Sequence, residues 1–225
     1  MLLVRSLLLA LLPACAARQG VGAGAGGSQG VPLYKQQGAP IEQRVADLIS
    51  KMTLEEKVYQ MLGDGDGSMK LAQHFNATGV GSMGWQVASL ADLEAQNAVQ
   101  GAMVNSSRLN IPIDFTGECL HSGGHPGVTV FPMPALQGSS WNLSLVHAIA
   151  ASNALHARAS GTNHALSPVI NVATDPRFGR FQEAFGEDPF IVGTMAVAAV
   201  RGLQGDDGAA GPNSYLGSPK TKVIS

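Results

Sequence analysis

Between Ile41 and Leu62 apolar side chains recur at Val45, Leu48, Ile49, Met52, Val58, Met61 and Leu62, the three-to-four spacing that lines one face of a helix. Thr53 followed by Glu56 has the form of a capping box, so the pattern predicts two helices with a break at Met52–Thr53. Beyond them the period alternates. "GVGSMGW" (79–85) predicts a short strand, and "LADLEAQNAVQGAMVNSS" (90–107) a helix. "IPIDFTGE" (111–118) predicts a buried strand ending in a carboxylate. A helix over 144–161 follows, capped by Asn142 or Ser144 and stopped by Gly161, then a strand over 165–172. A helix over 189–205 with Pro189 in its first turn comes next, and "TKVIS" begins one more strand. Short strands alternating with longer helices predict parallel β/α units. Parallel strands are covered by helices on both faces, and the last strand has none after it, so the stretch is expected to be part of a larger domain.

The ends and the composition bound the function. Residues 1–17 pair a basic start at Arg5 with the apolar run Leu7–Leu12 and the small residues Ala14-Cys15-Ala16, the layout of a secretory signal peptide. A buried helix and a lipid-anchored Cys15 are the competing readings, and Pro13 disfavours both. Residues 18–40, rich in Gly, Ser and Gln, are expected to be a flexible leader. Once the signal is removed Cys119 is the one cysteine left, so no disulfide forms within the stretch. Asn76, Asn105 and Asn142 each open an Asn-x-Ser/Thr triplet, a candidate glycosylation site in a eukaryotic secretory route. The expected location is therefore secreted or extracellular, with vacuole or periplasm as variants. The 225 residues are 45% hydrophobic with a net charge of −2, enough apolar material for one domain or part of one. No basic run offers a footprint for nucleic acid, and no apolar run after residue 20 reaches the length of a membrane span.

One segment breaks with this composition. Only 13% of the chain is charged, yet "DPRFGRFQEAFGEDP" holds Asp175, Arg177, Arg180, Glu183, Glu187 and Asp188. Gly and Pro on both sides exclude a solvated helix face, so the charges belong to a shaped loop. In parallel β/α folds polar groups gather where strands run out, and two clusters sit there: this loop, and Glu118 with His121. Glu118 is expected to be partly buried. It either pairs with an arginine for structural reasons or accepts hydrogen bonds from a polar ligand such as a sugar. His121 either orients a loop or is a satisfied structural histidine. Arg180 with Glu183 reads as a structural lock or as a rigidly held donor fork. Glu187 and Asp188 open the helix at Pro189, where acidic side chains meet free N–H groups, and are read as structural. The "GDGDG" loop (63–67) has Phe75 where a calcium loop needs its glutamate, and His147, His156 and His164 lack ligand spacing, so no metal site is expected.

Taken together, these segments resemble glycoside hydrolase family 3, over about residues 41–225. "RVADLISKMTLEEKVYQM" looks like the family's opening helix, and "GECLHS" is similar to its Asp/Glu-x-x-His-Gly segment. "TVFPMPALQGSSWN" is similar to its T-x-F-P segment, and "ALSPVINVATDPRFGRFQEAFGEDP" to its D-P-R-W-G-R-x-x-E-x-x-G-E-D-P stretch. Ser122, Ser167 and Phe178 depart from the usual Gly, Ala and Trp, and Glu118 stands where many glucosidases carry Asp. The resemblance implies an incomplete (β/α)8 TIM-type barrel, α/β in class, forming the N-terminal part of the enzyme. It implies retaining hydrolysis of terminal β-D-glucosyl residues, with β-xylosidase as the alternative, no cofactor, and β-glucoside or β-xyloside oligosaccharides as partners. By the same likeness Glu118 and Arg180 bind the terminal sugar, Glu183 holds Arg180, Asp175 and Arg177 shape the turn, and His121 supports. The family's nucleophile and acid/base motifs do not occur in these residues, so no catalytic residue is expected here and the stretch alone is expected to be inactive. A non-catalytic sugar-binding or scaffold protein and an incomplete gene model are the remaining readings.

Overall fold

The computed structural model describes residues 30–64, 79–84, 87–123, 126–205 and 222–223; the expected signal peptide, Asn76 and most of the 63–67 loop lie outside them. The chain folds as two units. The first takes the described residues up to Ser82 together with Ala98–Ile113, and the second takes Met83–Asn97 and the residues from Asp114 onward.

In the first unit the predicted break is present. Helices α1 (Ile41–Lys51) and α2 (Leu54–Met61) flank Thr53. The Glu56 N–H donates to Thr53 Oγ1 at 3.1 Å, and the Glu56 carboxylate accepts from the Thr53 N–H at 2.8 Å. Each group satisfies a donor that a helix start leaves orphaned. The same carboxylate, on a residue only 3% exposed, accepts from Arg108 Nε at 2.7 Å. Arg108 follows α3 (Leu90–Ser106), and its Nη2 also donates to the Lys51 carbonyl at 2.7 Å. Arg108 is therefore the first reason Glu56 titrates below the ordinary glutamate range; burial opposes it. Of the expected leader, residues 30–40 are described, and they are fastened. The Tyr34 N–H donates to Asp47 Oδ2 at 3.0 Å and its hydroxyl to the Leu109 carbonyl at 3.0 Å. The apolar stripe of α1 is only partly covered: Ile41, Val45 and Ile49 stay exposed. A two-residue strand, β1 (Gly63–Asp64), completes this unit.

The second unit holds the sheet. Strands β2 (Ser82–Gly84), β3 (Asp114–Gly117), β4 (His164–Ala165) and β5 (Lys222–Val223) are neighbours in that order. β3 and β4 pair in parallel with Thr116 opposite His164, and β4 and β5 likewise with His164 opposite Lys222. This is the expected α/β arrangement. The strand predicted over 165–172 is much shorter. Pro168 has no N–H to give a ladder, so pairing stops at Ala165 and resumes only as an isolated parallel bridge of Val169 with Ala184. The "FPMPALQGSSWN" segment forms a short helix, α4 (Pro134–Ser139), which the pattern did not announce.

Helices α5 (Leu143–Ala159) and α6 (Pro189–Gln204) cover the sheet. Asn142 Oδ1 accepts from the Leu145 N–H at 3.0 Å, and Asp188 Oδ1 from the Ile191 N–H at 2.9 Å, so both helices start on side-chain caps. Their apolar faces, with Cys119, Ala165 and Phe185, enclose the core around Val146, Ala154, Met195 and Leu203. The two helices meet at Gly202. A Cβ there would stand 2.5 Å from the His147 carbonyl oxygen and 2.6 Å from the Ala150 methyl. Alanine gains about 1 kcal/mol of helix propensity over glycine, while forcing atoms into a closed contact costs about 1–3 kcal/mol. Crowding wins because one colliding atom is backbone. Gly202→Ala is expected to lower the urea midpoint; a rise would mean the helices separate freely.

Candidate functional site

β3 ends at Gly117, whose carbonyl accepts from the Leu166 N–H at 3.0 Å, and Glu118 is the next residue. On the neighbouring strand β4, the chain leaves at Ala165 and runs into the charged loop. Glu118 and that loop therefore lie beyond the C-terminal ends of adjacent parallel strands, where such folds carry their polar groups.

The loop is built from its own charges. Asp175 Oδ1 accepts from the Arg177 backbone N–H and from its Nε, each at 2.9 Å. This closes a tight turn over Pro176–Phe178, which ends on Gly179 with φ 76°, a left-handed conformation that suits glycine. Arg177 points outward, its side chain 89% exposed, so it shapes the turn and does not line a pocket. Arg180 follows. Its Nε donates to Glu183 Oε1 at 3.0 Å and its Nη2 to Glu183 Oε2, a two-pronged pair. Glu183 is 16% exposed and Arg180 61%, so the carboxylate is the fixed half and the guanidinium the presented half. The Phe178 and Phe181 rings, edge to face at 6.2 Å, brace the loop between them.

Glu118 lies within electrostatic reach of both members of that pair. Burial pushes its carboxyl above the ordinary range, the Glu183 charge adds to this, and Arg180 pulls it back. Arg180 in turn is held more firmly protonated by Glu183 first and also by Glu118. Glu118 at the end of β3 and the paired Arg180 and Glu183 in the loop beyond β4, three of the six residues singled out by sequence, thus influence one another's charge. One expectation is corrected: Glu118 is exposed as a residue, the strand having ended one residue before it. Local desolvation of its carboxyl is still the largest influence on its titration. His121 is tied to Phe131. Its Nδ1 lies 2.9 Å from the Phe131 carbonyl, and its own carbonyl accepts from the Phe131 N–H at 2.7 Å, which closes the loop after Glu118.

A carboxylate whose charge is costly accepts hydrogen bonds from hydroxyls, and an arginine with its side chain turned to solvent donates to them. Among the described residues no group of three or more His, Cys, Asp and Glu is placed to hold a metal ion. A cleft of about 640 Å3 in the same unit is lined by Trp141, Phe185, Glu187 and Phe190 among others, and contains neither Glu118 nor Arg180. Sequence reading missed two partly buried pairs. Glu56–Arg108 hides behind a capping box, and His164 Nδ1 contacts Asp114 Oδ2 at 2.6 Å from separate strands. An acidic residue opening one strand and a histidine opening the next is the signal that would have found the second.

The family model described as "Glycosyl hydrolase family 3 N terminal domain" matches residues 53–220. A putative beta-xylosidase of Formosa agariphila is 32% identical over 200 residues, covering 82% of this chain and 26% of its own length. The periplasmic beta-glucosidase of Salmonella typhimurium is 30% identical over 165 residues, covering 72% and 20%. Among solved structures, the beta-glucosidase of Listeria innocua in complex with glucose superposes with a TM-score of 0.64 at 31% identity, covering 81% of this chain and 26% of that one. The beta-glucosidase EmGH1 of Erythrobacter marinus gives 0.65 at 30% identity, covering 76% and 24%. The chain spans about a quarter of the length of the first of these curated relatives.

Proposed function

The chain belongs to glycosyl hydrolase family 3, and from that premise we propose that Glu118 and Arg180 form the terminal-sugar subsite of an exported β-glycosidase. The reaction is retaining hydrolysis of terminal non-reducing β-D-glucosyl residues. What supports this reading is that Glu118 and the Arg180–Glu183 pair follow the ends of the adjacent parallel strands β3 and β4 and influence one another's charge. Arg180, held by Glu183, donates to ring hydroxyls; Glu118 accepts from them once ionised. His121, Asp175 and Arg177 keep the two loops in place.

Such hydrolysis needs two carboxylates flanking the scissile bond. Neither family motif that supplies them occurs in these 225 residues, so the stretch is proposed to bind the sugar without cleaving it. The second reading, a β-xylosidase, is favoured by Glu118 in place of aspartate and by relatives named beta-xylosidase at 32% and 34% identity. A longer carboxylate takes the room that the hydroxymethyl group of glucose needs. Export is proposed from the pattern of residues 1–17, in keeping with the periplasmic relative.

Titrating the 225-residue chain with glucose and with xylose, followed by NMR shifts of the Arg180 side chain, decides between them. Glucose binding tighter than xylose supports the glucosidase reading, and the reverse order supports the xylosidase. Perturbation by neither sugar at high millimolar concentration would remove the sugar subsite altogether. Turnover of an aryl β-glucoside by these residues alone, lost on changing one of them, would overturn the proposed absence of the catalytic pair.

A further inference from the structure

Glu118 has no ladder partner to aim it. The register of β3 on β4 ends with Gly117 opposite Ala165, one residue earlier. What holds the chain instead is the next residue. The Cys119 N–H donates to Ser167 Oγ at 3.2 Å, and the Cys119 carbonyl accepts from Asn153 Nδ2 at 3.3 Å. Both backbone groups of one residue are thus held by side chains from two other elements, the loop after β4 and the middle of α5. Ser167 and Asn153 are each 1% exposed. The Cys119 side chain is itself a core residue, 3% exposed, with burial pushing its thiol up to about 12. It is an inert anchor, not a nucleophile.

Asn153 is costly where it stands. Its helix face is otherwise Val146, Ile149, Ala150, Ala154 and Ala157. Its Oδ1 is buried and has no hydrogen-bond partner among the described residues. A buried polar group left half-satisfied is destabilising, and an apolar side chain would suit that face better. Its one hydrogen bond is to the residue beside Glu118.

We propose that Asn153 and Ser167 are positioning residues: by clamping Cys119 from two sides they fix the direction in which Glu118 leaves the sheet. The proposal rests on the reading of Glu118 as a sugar ligand. Neither side chain touches the sugar; both act through the Glu118–Cys119 backbone.

The test uses the 225-residue chain with glucose and xylose, and reads two quantities. The first is the dissociation constant of the better-bound sugar for Ser167→Ala in the Glu118 and Glu118→Gln backgrounds. Loss of one hydrogen bond is expected to weaken binding about fivefold with Glu118 present and less than about twofold without it. Ser167→Thr, which keeps the hydroxyl, is expected to restore binding. The second is the titration midpoint of the Glu118 carboxyl, followed by carboxyl-carbon NMR with no sugar present. It is expected to fall toward the ordinary range in Ser167→Ala and Asn153→Leu, as the freed side chain swings into water. Equal losses in both backgrounds, or an unmoved midpoint in variants that still fold, would overturn the positioning role. Absence of sugar binding by the parent chain would instead overturn the subsite reading and this role with it.

Discussion

Replacing Arg180 by alanine is expected to weaken sugar binding roughly 10- to 100-fold, the loss typical of hydrogen bonds from a charged donor. It should hardly move the melting temperature. The Arg180–Glu183 pair is largely solvent-exposed on the arginine side, and exposed ion pairs contribute little to stability. A residue held for structure would lose stability and keep affinity; one presented to a ligand does the reverse. Arg180→Lys is expected to recover only part of the loss, because an ammonium cannot pair with both Glu183 oxygens and still offer a fixed donor to a hydroxyl. Isothermal titration with the preferred sugar, beside a thermal melt, measures both. A melt that falls while affinity holds would assign the pair to the fold.

The second large effect is on stability and sits in the other unit. Glu56→Ala removes the capping-box carboxylate and the partner of Arg108 together, and is expected to cost about 2–3 kcal/mol, a cap plus a charge-assisted bond. Arg108→Ala is expected to be the worse variant. The Glu56 side chain is 4% exposed and would keep a buried charge with only the Thr53 N–H to offset it, whereas the Arg108 side chain is 50% exposed and water can take over its solvation. The pH dependence has a definite sign. The folded-state pKa of Glu56 is lowered, so its contribution is present above the unfolded glutamate value near 4.5 and is lost as pH falls through the folded value. Glu118 runs the other way. Its raised pKa makes its contribution largest at low pH and lost as pH rises through the folded value, the direction of a group placed for binding at a cost to stability. Urea unfolding of parent and Glu56→Ala between pH 3 and 7 tests this. An acid-side slope that survives in the variant would show that Glu56 is not its source.

Much of the fold was legible because it is encoded locally. The Thr53–Glu56 box, the Asn142 and Asp188 caps and Pro189 at a helix start each act within four residues, so they read directly from the chain. The turn from Asp175 to Gly179 and the Arg180–Glu183 pair belong to the same class. Strand lengths were not legible. Pro168 cut the 165–172 strand to two residues because a missing N–H matters only when a neighbouring strand asks for it. The exposure of the stripe on α1 was not legible either, since periodicity shows which side is apolar and not what lies against it. The exposure of Glu118 was misjudged for a related reason: burial depends on where the ladder stops.

By itself the sequence determined the alternation of strands and helices, the capped starts, and which charges share one loop, because propensity, caps and short-range pairs act over a few residues. Only the tertiary structure decided that β3, which ends before Glu118, pairs with the strand that feeds that loop, that Arg108 crosses 52 residues to Glu56, and that Asn153 and Ser167 close on Cys119. Those contacts join residues from separate elements. Their distances are set by strand register and helix packing, which no local pattern encodes.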